Sequence, residues 1–103
     1  MSEQEEQEKI AQELADQLRR LRVEDVVISL LLQVSQIGYR RLGLTEQTKE
    51  DRDLGQVRLA IGAMQALMPV LEQVVPAELL RDFESSVANL QLAYAKAATE
   101  AAE

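Results

Sequence analysis

Fourteen consecutive residues, Val26 to Tyr39, carry no charge, and arginines bracket them at Arg19, Arg20 and Arg22 on one side and at Arg40 and Arg41 on the other. A surface helix needs only one apolar stripe. Here Val26, Val27, Ile28, Leu30, Leu31, Leu32, Val34 and Ile37 cover most of a helical circumference. Such a helix requires cover on several sides, which places it in the middle of an assembly. A chain of 103 residues hides a smaller fraction of its surface than a large domain does, so part of that cover is expected from a second chain.

The remaining composition points the same way. Ala, Leu, Val, Glu and Gln dominate, aromatic residues make up 3% of the chain, and there are only 4 Gly and 2 Pro. This is the composition of a helical protein. Cysteine and histidine are both absent. Their absence removes disulfides, thiolate metal sites, histidine general-base catalysis and a serine–histidine triad. The Glu46, Glu50, Asp51 and Asp53 loop lacks the glycine turn of a calcium loop, and capping is the expected role of Asp51 or Asp53. The chain is therefore read as non-enzymatic, with no catalytic, cofactor-binding or metal-binding residue.

A net charge of -7 argues against nucleic acid as a partner, because phosphate binding rests on a basic surface. Residues 1–16 hold six acids and one lysine, a net of -5, so the rest of the chain is nearly neutral. The polar, acidic start is unlike a secretory signal. No uncharged run reaches the roughly 18 residues of a membrane span, and an acidic first helix is repelled by anionic lipid. A cytoplasmic protein without a membrane partner is expected.

Periodicity divides the chain into four helices. Ser2 can cap the first, with Glu5 reaching back in a capping box. Its apolar seam is narrow: Ile10, Leu14, Leu18 and Leu21, with Ala11 and Ala15 beside them. The second helix spans about Val23 to Leu42, with Glu24 and Asp25 at its start and Arg40 and Arg41 at its end, as the helix dipole favours. Nothing in Arg19–Val23 decides whether these two helices are continuous. Gly43 is placed for a left-handed cap, with Leu44 folding back as its hydrophobic contact.

Thr45–Asp53 has no apolar side chain and six charged residues among nine, so it is expected to be an exposed loop. The third helix carries Leu54, Val57, Ile61, Met64, Leu67, Met68, Leu71 and Val74 at helical spacing. Pro69 lies inside it, where its ring opposes the carbonyl of Gln65, so a kink or break is expected near Ala66–Met68. Pro76 opens the fourth helix. Leu80, Phe83, Val87, Leu90, Tyr94 and Ala97 then alternate spacings of three and four, the seam of a helix packed along its length.

The resulting expectation is one all-α domain over 1–103, a small antiparallel bundle of three to four helices with helix two central and helix three kinked near Pro69. Within it, 1–22 is an acidic amphipathic helix, 23–97 the helical core, and 98–103 a fraying tail.

Several residues in this frame resemble a known family. An apolar helix ending at Gly43-Leu44 leads through a charged loop to Asp53-Leu54, with Gln56, Arg58, Ile61 and Leu67 in register and Leu90 and Tyr94 further on. Together these residues resemble the bacterial family called domain of unknown function 1844, over roughly Val26 to Lys96. The sequence departs from that pattern at Val74-Val75-Pro76, where the family turn is more polar and contains glycine. The resemblance implies a small helical cytoplasmic bacterial protein and transfers no activity.

The side chains left over suggest assembly. The five arginines at the ends of helices one and two read as partners for dipoles and nearby acids, and Arg58 as an ion-pair partner for Asp82 or Glu84. Gly38, Gly55 and Gly62 each cost about 1 kcal/mol against alanine in a helix. Gly38 and Gly62, near Ala60 and Ala63, suggest a close approach of helices two and three. Ser29, Gln33, Ser35 and Gln36 interrupt the apolar helix, and such polar groups set register in helical assemblies.

The candidate oligomer interface is therefore Val27, Leu30, Leu31, Gln33, Val34, Gln36, Ile37 and Gly38. The functional expectation is a self-associating scaffold or adaptor, a homodimer first and with a possible further protein partner. The alternative is a binding module for a small apolar ligand or a partner helix, housed where Pro69 bends its helix.

Overall fold

The computed structural model describes residues 2–102. Four α-helices run in the order α1 (Glu3–Arg20), α2 (Val23–Arg41), α3 (Leu54–Leu71) and α4 (Ala77–Ala102), with a short 3-10 turn at Lys49–Asp51, and no strand occurs among the described residues. The fold is an all-α helical bundle, as the periodicity implied. Helix α4 continues through 98–102, the stretch expected to fray, while Glu103 lies outside the described residues.

Two residues separate α1 from α2. Leu21 (φ -74°, ψ 132°) and Arg22 (φ -102°, ψ 147°) are both extended, so the first two helices are distinct. The side chain of Ser2 caps α1 by accepting from the Glu5 backbone N–H at 3.2 Å. Helix α1 has no buried residue and packs along none of the other helices. The described chain is accordingly long and thin, 65 × 35 × 17 Å.

The bundle proper is α2, α3 and α4. Leu31, Leu42, Val57, Met64, Leu71 and Leu90 are fully enclosed, and Ile61, Phe83 and Val87 complete the core. Helix α3 packs along both neighbours, whereas α2 and α4 meet over a shorter stretch. The central helix is thus α3 rather than α2. Its buried residues, Val57, Ala60, Ile61, Met64 and Leu71, are all apolar and serve both neighbours.

Pro69 acts differently from the expected break. The helix runs without interruption past Ala66–Met68 and stops at Leu71, with the Glu72 N–H donating to the Pro69 carbonyl at 3.3 Å. Proline so near the helix end removes one N–H donor and opposes a single carbonyl, and the helix passes through it. The carbonyl of Pro76 accepts from Leu79 and Leu80 and starts α4.

The α2–α3 connection is tied down by the arginines that end α2. Arg40 donates through Nε to the Asp51 carboxylate at 3.1 Å and pairs with it through a second nitrogen at 3.0 Å. Arg41 donates to the Asp51 carbonyl at 3.2 Å, and Arg52 donates back to the Leu42 carbonyl at 2.8 Å. Thr45 and Thr48 close the turn between them through their hydroxyls. Asp53 caps α3, its Oδ1 accepting from the Gln56 N–H at 3.2 Å. Gly43 is left-handed at φ 63°, and a Cβ there would come within 2.8 Å of the Arg52 Cβ. Leu44 does not fold back as expected and is exposed.

Candidate interaction surface

Helices α2 and α3 cross closely because Gly38 faces Ala60. A Cβ at Gly38 would lie 3.1 Å from the Ala60 Cβ and 3.4 Å from a Leu90 methyl. From that crossing a groove of about 270 Å³ opens to solvent, lined by Val34, Ile37, Gln56, Leu59, Ala60 and Ala63. The pairing of Gly38 with Ala60, and the meeting of Val34 and Ile37 with Ala63 and Leu59, show the two helices antiparallel.

Apolar stripes continue away from this groove on both helices. On α2 they include Val26, Leu30 and Ile37, on α3 Leu59 and Val70, all exposed. Leu59 is 66% exposed and Ile37 52%. The intervals 26, 30, 37 and 59, 63, 66, 70 keep each set on one face of its helix. Neither run contains a charge, since 26–39 and 59–71 are uncharged. Exposed apolar faces of this continuity mark interaction sites. By length and composition alone α3 would also pass for a membrane span, and only 28% of it is buried in the fold.

The interface residues anticipated on α2 divide into two sets. Leu31 has no remaining exposure and Gly38 is buried against α3 and α4, so both belong to the core. Leu30, Gln33, Gln36 and Ile37 are exposed, and Val27 and Val34 are half-buried at the margin. The sequence pattern alone did not separate the inner face of α2 from its outer face. The sequence also set α3 against α2 near Ala60 and Ala63, and the structure adds Leu59 to that wall.

Other expectations fall differently. Gly62 has no heavy atom within 4 Å of its would-be Cβ, so unlike Gly38 it serves no helix contact within the chain. Arg58 does not reach Asp82 or Glu84. The antiparallel run of α3 and α4 sets it in a shallow depression with Gln91 and Tyr94, and no carboxylate lies within salt-bridge distance among the described residues. Arg19 pairs with Asp16 and Arg22 with Glu24, both on the surface. Buried side-chain nitrogens and oxygens all have partners among the described residues. A second apolar feature stands apart from the bundle: Ile10, Leu14 and Leu18 of α1, and Leu21 just after it, are all more than half exposed.

No protein-family model, curated protein or solved structure matches this chain.

Proposed function

We propose that this protein is a non-enzymatic helical module that self-associates, as a dimer, and acts as a scaffold or adaptor. The observation that carries the reading is the uncharged apolar face shared by α2 and α3, left open to water around Ile37 and Leu59. A small bundle gains stability by covering such a face, and burial returns about 25 cal/mol per Å² of apolar surface. A second copy supplies cover of matched concentration and chemistry. The resemblance to the domain of unknown function 1844 family fits a small helical bacterial protein of the cytoplasm and supplies no activity.

The alternative is a binding module for a partner helix or a small apolar ligand. The groove favours the helix over the ligand, because it is open along its length, whereas ligand pockets enclose most of their occupant. Light scattering of the full chain across a micromolar concentration series tests the first reading. A mass of two chains is expected. A monomer throughout the series overturns self-association and leaves the partner-helix reading.

A further inference from the structure

Helix α1 is as unusual as the groove. It is 18 residues long, and an isolated helix of that length is marginal in water, since most helical stability in proteins comes from packing an amphipathic face. Its seam of Ile10, Leu14 and Leu18, continued by Leu21 just past its end, packs along none of the other helices, and Leu18 is 68% exposed. The bundle has a groove without an occupant, and α1 has a seam without a groove.

Their dimensions agree. At a 1.5 Å rise per residue α1 is about 27 Å long, the same as α3 and within one residue of α2. Ala11 and Ala15 flank the seam, so the helix can settle between two others without large shoulders. The floor of the groove is equally small, at Ala60 and Ala63.

Charge sets the direction. The amino-terminal half of α1 carries Glu3, Glu5, Glu6 and Glu8 against Lys9 alone, and its last turn carries Arg19 and Arg20. At one end of the groove the arginines that finish α2 are balanced by nearby acids, Arg40 pairing with Asp51; at the other stand Glu24, Asp25 and Glu72. Antiparallel to α2, α1 brings Arg19 and Arg20 to Glu24, Asp25 and Glu72. The reverse direction sets the acidic start of α1 against those same acids.

We propose that two chains exchange α1, each placing its Ile10–Leu21 seam in the α2/α3 groove of the other, antiparallel to α2. The inference rests on the self-association reading and names its element. Exchange follows from the link: Leu21 and Arg22 are both extended and lead α1 away from its own bundle, and a short straight link of this kind favours swapping an element between identical protomers. A stable interface needs about 1,200 Å² in total, which two reciprocal dockings meet when each docked helix covers about 300 Å² on each partner.

The absence of cysteine makes the test direct. Ala11→Cys and Ala63→Cys are prepared as separate full-length variants, mixed, and treated with a short bismaleimide. Denaturing gels together with light scattering read the result. A linked pair that forms only in the mixture, from protein of dimeric mass, is the expected outcome. A dimer that links only Ala63→Cys to itself, or links nothing, overturns the exchange and leaves self-association standing.

A chain carrying both substitutions that links within itself, at monomeric mass, overturns both, because α1 then folds back on its own groove. In a second variant, Leu14→Asp weakens the dimer about 100-fold or more, since each dimer loses two buried leucines. The bundle keeps its own thermal transition, because α1 contributes nothing to its core. A Leu14→Asp protein that remains dimeric at unchanged affinity also overturns the exchange.

Discussion

One methyl group added at Gly38 and one added at Gly62 are predicted to move stability in opposite directions. Alanine in a helix interior is favoured over glycine by about 0.5–1 kcal/mol, largely because it narrows the unfolded ensemble. At Gly62 the new Cβ meets nothing within 4 Å, so the full gain is expected. At Gly38 it meets the Ala60 Cβ at 3.1 Å, short of the roughly 3.5–4.0 Å of a relaxed carbon contact. Ala60 Cβ is fixed to its backbone and cannot rotate away, so α2 and α3 must separate. Overpacking of this kind costs about 1–3 kcal/mol.

Subtracting the propensity gain leaves a net loss of about 1 kcal/mol for Gly38→Ala. The two variants then differ by about 1.5–2 kcal/mol, which for a domain of this size separates their melting temperatures by about 6–16 °C. Circular dichroism during thermal and urea unfolding, at equal protein concentration, measures both shifts. Ala60→Gly in the Gly38→Ala background removes the opposing methyl group, and a double-mutant cycle should show coupling of about 1 kcal/mol. Equal stabilisation by both alanines, or no coupling to Ala60, would refute the close crossing of α2 and α3 at this point.

Three further outcomes follow from the same packing. Leu31→Ala should cost about 2–5 kcal/mol by urea unfolding, as for other fully enclosed leucines, because Leu31 has no exposure; a loss under about 0.5 kcal/mol would place it on the surface. Asp53→Ala should cost about 1 kcal/mol by removing the α3 cap, and an unchanged urea midpoint would show that the cap bond at Gln56 is not maintained in solution. Asp51→Asn should cost less than about 1 kcal/mol and less still in high salt, because its ion pair with Arg40 is solvent-exposed; a larger, salt-independent loss would mean that the connection is anchored more deeply than the bonds from Arg40 and Arg41 suggest.

Helix positions were legible because their causes are local. Asp53 capping, the left-handed Gly43 and the seam from Phe83 to Ala97 depend on residues a few positions apart. The neighbour that each stripe meets is not a local property. The spacing of Leu31, Val34 and Ile37 announces apolar faces on α2, but only the crossing angle to α3 decides that Leu31 turns inward and Ile37 outward. Arg58 shows the same limit: its partner depends on the stagger of α3 against α4, which sets it beside Gln91 and Tyr94. Pro69 does not break α3 because a helix that is about to end tolerates a missing N–H, and α3 ends two residues later at Leu71.

The assignment of α2 as the central helix fails for a reason that bears on function. Apolar residues all round a helix signal the amount of cover it requires, and that cover can come from within the chain or from outside it. Helix α3 takes the middle because Gly38 lets α2 press against Ala60 on one flank while α4 lays Phe83, Val87 and Leu90 along the bundle. With α3 in the middle, α2 becomes an edge helix that keeps its excess of apolar surface at Val26, Leu30 and Ile37. An edge helix with the composition of a central one requires one more neighbour than this bundle supplies. Helix α1, charged on most of its surface and apolar along one narrow seam, has the composition of the neighbour that is missing.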